Sequence, residues 1–209
     1  MLTAFTAGLL LITVSELGDK TFFIAAILAM RHSRRLVFIG AVAALALMTV
    51  LSVLFGQIAT LLPPIYVRWA EATLFLGFGL KLLFDARQMS DQPCVEEQAE
   101  AMAVVKQAEE KLPKRHTGLA VVLESFGLTF FAEWGDRTQF ATIALAAANN
   151  PIGVTIGAIL GHAICAAIAV ACGRLICGRI SERTITVLGG ALFLVFAMVS
   201  LFELLRLAV

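Results

Sequence analysis

Apolar residues run along this chain in six long blocks separated by short polar segments, at about 5–30, 36–62, 65–84, 119–147, 152–173 and 184–205. Each block reaches the roughly 20 residues that a helix needs to cross the hydrocarbon core of a bilayer. None shows the alternation over about ten residues expected of a barrel strand. The pattern predicts an all-α membrane protein with six transmembrane helices. The third block is the least regular, with Arg68 and Glu71 near its start and Lys81 near its end; these read as interfacial or snorkelling charges. The first block has no basic leader and carries Glu16, Asp19 and Lys20 where a signal peptide would be apolar. It is therefore expected to stay in the mature protein. Trp69 reads as an interface anchor and Trp134 as a side chain packed on a neighbouring helix.

Composition agrees: 60% of the 209 residues are hydrophobic and 15% charged. The basic residues add an orientation. Arg31, Arg34 and Arg35 follow the first block, Lys114 and Arg115 precede the fourth, and Arg174, Arg179 and Arg183 lie between the fifth and sixth. With six spans these connections share one side, which the positive-inside rule makes cytoplasmic. Both termini then face the opposite compartment. The connections around Pro63-Pro64 and Asn149-Asn150-Pro151 are short and nearly uncharged, as this orientation requires. The plasma (inner) membrane is the expected location, with a thylakoid or other internal membrane left open.

The most informative pattern is a polar phrase that occurs twice inside apolar blocks: Glu16-Leu17-Gly18-Asp19-Lys20-Thr21 and Glu133-Trp134-Gly135-Asp136-Arg137-Thr138. An offset of 117 also pairs Phe23 with Phe140, Leu28 with Leu145 and Ile39-Gly40-Ala41 with Ile156-Gly157-Ala158. An offset of 118 pairs Leu74-Phe75-Leu76 with Leu192-Phe193-Leu194 and Phe78 with Phe196. The chain thus divides into a first three-helix repeat (1–84), a charged linker (85–118) and a second three-helix repeat (119–209). Three is odd, so the second half enters the membrane from the other side. Inverted repeats of this kind build secondary transporters that bind substrate near the midplane, between the halves.

The linker holds seven acids and five bases. Its middle, about 95–112, is rich in Glu, Ala, Gln and Lys between Pro93 and Pro113, and predicts a cytoplasmic helix. A solvated connector is the favoured reading, with a regulatory cation site there as the alternative.

Ionisable groups inside a membrane are costly and are usually kept for function. At helical spacing, Glu16 and Asp19 share a face, as do Glu133 and Asp136. Bringing the halves together gathers four carboxylates, with Thr13, Thr21, Thr129, Thr138 and Gln139 as neutral oxygen donors. Such a set suits Ca²⁺, Mg²⁺ and Mn²⁺ better than copper or zinc. Lys20 and Arg137 each follow their Glu by four positions, the spacing of an intrahelical ion pair. The two phrases together carry a net charge of minus two, which one divalent ion or two protons would neutralise. Gly18 and Gly135 either break the helix to expose carbonyls or admit close helix packing; both readings stand.

Other residues carry less. Glu124 reads as a vestibule acid or an interfacial carboxylate. His162 would serve as a ligand or proton relay, but its counterpart is Leu45, which favours a packed histidine. Cys94, Cys165, Cys172 and Cys177 form no C-x-x-C spacing and imply no disulfide. No phosphate-binding loop of the G-x-x-x-x-G-K-[ST] kind and no H-E-x-x-H pair is present. An enzyme is not expected, nor a bound cofactor or a nucleic-acid partner. A passive cation channel or uniporter using the same carboxylates is the alternative to an exchanger, though internal inverted symmetry favours exchange. Oligomeric state is not legible.

The paired phrases resemble the E-x-G-D-[KR]-[TS] signatures of the Gdt family of divalent cation/proton exchangers, over nearly the whole chain. That family includes Golgi manganese and calcium transporters, a chloroplast manganese transporter and bacterial manganese exporters, the last being the better match for so short a chain. The resemblance implies export of Mn²⁺, and of Ca²⁺ as a second candidate, in exchange for protons. It implies that Glu16, Asp19, Glu133 and Asp136 carry cation and proton, with Thr21, Thr138 and Gln139 lining the path. Gln139 is matched by Phe22 in the first half, so the half-sites differ.

Overall fold

The computed structural model describes residues 1–89, 95–111, 117–176 and 181–207. Among the residues named above and the charged residues of the linker, Asp91, Pro93, Cys94, Pro113, Lys114, Arg115, Cys177 and Arg179 lie outside this set, as do the side chains of Glu96, Glu97, Glu109, Glu110, Lys111, Cys172 and Arg174. The described helices are α1 (Leu2–Glu16), α2 (Lys20–Arg31), α3 (Arg34–Ala59), α4 (Pro64–Gln88), α5 (Val95–Lys111), α6 (Gly118–Ala132), α7 (Arg137–Ala148), α8 (Pro151–Ile176) and α9 (Glu182–Leu207). Three stretches, Arg34–Ala59, Pro151–Ala171 and Arg183–Arg206, are long and apolar enough to cross a bilayer as single helices. The predicted first and fourth spans are instead each two helices, α1 with α2 and α6 with α7, broken at the acidic phrase.

The same series of lengths occurs twice. Helices of 15, 12, 26 and 25 residues precede α5, and helices of 15, 12, 26 and 26 follow it. Packing repeats with them: α3 lies on α6 and α1 on α8, while α4 pairs with α9. Glycine explains how close these helices come. A Cβ on Gly40 of α3 would stand 2.5 Å from the Val122 carbonyl oxygen, with Phe126 beside it, and Gly157 of α8 meets Phe5 and Leu9 of α1 in the matching way. Such small-residue contacts are the usual means of close approach between membrane helices. Where α4 crosses α9, Phe75 and Phe193 meet with ring centroids 5.9 Å apart, flanked by Phe75–Phe196 at 5.8 Å and Phe78–Phe193 at 5.7 Å.

Large apolar side chains such as Leu54, Ile58, Leu160, Met198 and Phe202 are exposed on the outside of the bundle. In water such a surface would be unfavourable; in lipid it is the expected exterior. Trp134 is also exposed. Lying just beyond the end of α6, it sets its ring 5.4 Å from that of Phe130 in that helix.

Two further expectations change. Glu71 is not a solvated charge: it is 1% exposed and is held by Arg68, 3.1 Å away, and by Asn149, whose Nδ2 donates to Oε1 at 3.1 Å. The linker helix forms at the predicted place, yet it is not simply solvated. Ala101 and Val105 stand four apart on one face of α5 and are fully buried in the cluster that holds Phe22 and Phe23 of α2. Lys20 of α2 reaches Glu100 of α5 at 3.0 Å. Both side chains are partly solvated, so this pair contributes little to stability and mainly orients α5.

Candidate cation site

Each half-site begins with a helix that cannot continue. α1 ends at Glu16 and α6 at Ala132, with Glu133 as its cap, and the chain then turns through Gly18 (φ 84°) or Gly135 (φ 83°). Positive φ of this kind favours glycine. Asp19 and Asp136 follow as N-caps of α2 and α7. The glycines therefore break the helix. Their role is testable. No atom lies within 4 Å of a Cβ built on Gly135, so Gly135→Ala costs only its backbone conformation, about 1–2 kcal/mol. Gly135→Asn costs less, because Asn tolerates this region. Denaturation of both variants in detergent checks the order; an alanine variant as stable as the parent contradicts it.

The break also corrects why the acids meet. Glu16 and Asp19 do not share a helical face, since the helix ends between them. They are brought together by the turn, and the opposite half adds Glu133: ligand oxygens of Glu16, Asp19 and Glu133 all lie within 4.8 Å of one another. Glu16 and Glu133 are each 2% exposed. One oxygen of each accepts from a threonine, Thr21 Oγ1 to Glu16 at 3.3 Å and Thr138 Oγ1 to Glu133 at 3.4 Å. The other oxygens, Oε1 of both, have no hydrogen-bond partner among the described residues, nor do the buried hydroxyls of Thr13 and Thr129. Buried polar atoms are rarely left so, and a cluster of unpaired oxygens is what a hard cation would satisfy.

Asp136 is used differently from Asp19 despite its equivalent place. Its Oδ2 accepts from the Thr138 amide at 3.1 Å and the Thr138 hydroxyl at 3.2 Å, capping its own helix. Asp19 makes no such cap and instead meets Arg137 of the other half, Nη2 to Oδ1 at 2.8 Å. The intrahelical pairs expected for Lys20 and Arg137 are thus replaced by longer-range ones: Lys20 turns to Glu100 and Arg137 to Asp19. With the helix broken, four-residue spacing no longer aligns Glu16 with Lys20 or Glu133 with Arg137.

Two small cavities of about 10 Å³ flank the carboxylates, each roughly one water in size. The first is lined by Glu16, Thr21 and Thr129, the second by Glu133, Thr138 and Gln139; His162 lines both. Gln139 accepts from the Gly135 amide at 2.8 Å, bracing the second break. His162 is buried and its Nδ1 has no partner among the described residues. Glu124 stands apart, buried beside His32 at 3.9 Å and outside the converging set. A larger cavity of about 200 Å³ reaches Ser15, Gly18, Asp19 and Arg137 between the ends of α4 and α9, with Asp85, Thr186 and Gly189 on its walls. Asp85 was not singled out from the sequence, yet its counterpart at the 118 offset, Glu203, is also acidic.

A helical bundle with an apolar exterior and carboxylates gathered at two broken helices defines a membrane ion-transport protein. Residues 4–90 and 121–207 match the family model described as divalent cation/proton antiporter GDT1, and the chain belongs to that family. It is 62% identical over 200 residues to GDT1-like protein sll0615 of Synechocystis sp., covering 96% of this chain and 97% of that protein. It is 44% identical over 219 residues to the chloroplastic PAM71-homolog of Arabidopsis thaliana, covering 96% of this chain and 59% of that one. With GDT1-like protein 3 of Oryza sativa subsp. indica the identity is 43% over 211 residues, covering 95% and 74%. No solved structure matches.

Proposed function

We propose that this protein exports Mn²⁺, with Ca²⁺ as a second candidate substrate, from the cytosol in exchange for protons. In this reading six spans form two inverted three-helix repeats, and the cation is held by Glu16, Asp19 and Glu133, with Asp136 entering the site in another stage of the cycle. The observation that carries it is the convergence of three carboxylates from both halves on one point. The three converging ligands are all oxygen, a set that matches Mn²⁺ and Ca²⁺ better than copper or zinc, while the His162 imidazole lines the flanking cavities outside that set. Three carboxylates against the guanidinium of Arg137 leave a formal charge of minus two at the cluster. One divalent ion or two protons neutralises that charge, so either cargo lets the site cross a low-dielectric region without net charge. Obligatory alternation between them is exchange.

The test is uptake of Mn²⁺ and Ca²⁺ into proteoliposomes with and without an inside-acidic gradient. Accumulation above the external concentration only with the gradient is the expected result, and competition ranks the two ions. Downhill flux alone identifies a channel or uniporter and overturns exchange.

A further inference from the structure

The two ends of the α4–α9 pair are built from equivalent positions but are in opposite states. At one end, the start of α4 is tied to the ends of α7 and α9. Arg68 Nη1 lies 3.1 Å from Glu71 and 2.7 Å from Glu203 of α9, and Asn149 at the end of α7 donates to Glu71 at 3.1 Å. The 118 offset that equates Phe75 with Phe193 equates Arg68 with Thr186, Glu71 with Gly189 and Glu203 with Asp85; the 117 offset equates Asn149 with His32. Asn149 and His32 also share a structural place, since each is the C-cap of its short helix with its amide bonded four residues back.

At the other end three of those counterparts stand around a cavity. Thr186, Gly189 and Asp85 line the cavity of about 200 Å³ that reaches Asp19, and His32 faces Glu124 instead. Helix packing shows the same difference: α4 packs along α7, whereas α9 makes no comparable contact with α2 among the described residues. The open end is the one where α2 ends at Arg31, α3 starts at Arg34 and the apolar stretch of α9 starts at Arg183.

We propose that this conformer is open to the cytoplasm, and that the bond from Asn149 to Glu71 is the latch that seals the opposite face, with Arg68 and Glu203 holding the carboxylate in place. The cavity is then the cytoplasmic vestibule through which a divalent cation reaches Asp19. The proposal rests on the inverted-repeat exchanger reading given above. α4 and α9 cross at Phe75 and Phe193 and at Gly79 and Gly190, where small side chains let the backbones approach. Rocking this pair about the crossing lifts α4 from α7, breaking Asn149–Glu71, and lowers the start of α9 onto α2. Arg68–Glu203 lies within the pair and survives the movement. Rocking of one unit against another around a fixed site is a general route to alternating access.

The test is labelling by a membrane-impermeant maleimide in sided vesicles, read residue by residue by mass spectrometry so that the native cysteines stay in place. Thr186→Cys reports the vestibule. Val67→Cys, buried one helical turn before Glu71 on α4, reports the sealed face. Thr186→Cys is expected to react from the cytoplasmic face, and Val67→Cys only slowly from the outer face. Because labelling of a minor conformer follows its population, losing the hydrogen bond to the Glu71 carboxylate in Asn149→Ala raises the Val67→Cys rate roughly tenfold. Asn149→Asp, which keeps the shape of the side chain but sets an acceptor against the Glu71 carboxylate, does the same if the alanine variant folds poorly. Reaction of Thr186→Cys from the outer face alone, or an unchanged Val67→Cys rate in both folded variants, overturns the proposal. Exchange measured in the same vesicles separates the two claims. Exchange without a labelling shift overturns the latch and leaves the exchanger; a labelling shift without exchange overturns the exchanger and leaves the latch.

Discussion

Glu16→Gln and Glu133→Gln will each bring gradient-driven cation accumulation down to that of protein-free vesicles, while the thermal midpoint of the purified protein does not fall. The first half follows from charge. Glutamine keeps the volume of glutamate and an oxygen for Thr21 or Thr138, but removes one of the three converging negative charges. A divalent ion then has a formal charge of minus one as its partner, and the match of one divalent ion to two protons is lost. The second half follows from burial. Two carboxylates from different halves, each 2% exposed, have ligand oxygens within 4.8 Å of each other. Like charges at that range in a poorly solvated place are unfavourable, so neutralising one relieves repulsion between them. A variant that loses transport together with its folded state would instead mark these acids as structural.

The second large effect separates the two aspartates. Asp19→Asn will weaken equilibrium Mn²⁺ binding by at least about tenfold, whereas Asp136→Asn will leave it within about threefold; the first change removes a candidate ligand, and even outer-shell changes cost roughly 10–100-fold at metal sites. Asp136 serves as the N-cap of α7, a place where asparagine works about as well as aspartate. Transport behaves differently from binding. In the proposed rocking cycle Asp136 takes the part of Asp19 on the other side, so both variants are expected to lose turnover. Isotope binding in nanodiscs beside uptake in proteoliposomes checks the split. Equal binding loss in both variants contradicts the assignment of this conformer.

Much of this architecture is legible in the sequence because lipid makes acids conspicuous: Glu16 and Asp19 stand out in a run of Leu, Ile and Phe, and a second copy at a fixed offset reveals the repeat. The repeated series of helix lengths follows that offset closely. Partner choice is the part that is not legible. A four-residue spacing suggests Lys20 with Glu16, but the glycine turn removes the helical register on which the spacing rule depends. The partners chosen instead, Glu100 and Asp19, lie 80 and 118 positions away. Glu71 misleads for a similar reason. One glutamate near the start of a span reads as interfacial, and only the approach of Asn149 and Arg68 from other turns makes its burial tolerable. The docking of α5 has a signal that charge counting hides. Ala101 and Val105 are four apart in a helix whose remaining residues are mostly polar, which is enough for one narrow face.

Position-by-position equivalence also has limits. Asp19 and Asp136 are matched in sequence and in backbone place, yet one faces the opposite half and the other caps its own helix. In the proposed cycle the offset identifies which residues exchange parts, and the conformer decides which of them faces the other half.

The measurement that bears most directly on the cation site is the number of Mn²⁺ ions bound per chain, read by electron paramagnetic resonance on protein in nanodiscs. One ion per chain, displaced by Ca²⁺ and absent from the Glu16→Gln, Glu133→Gln double variant, is the predicted result. Undiminished binding in that double variant, with the protein folded, would place the site elsewhere and contradict the account.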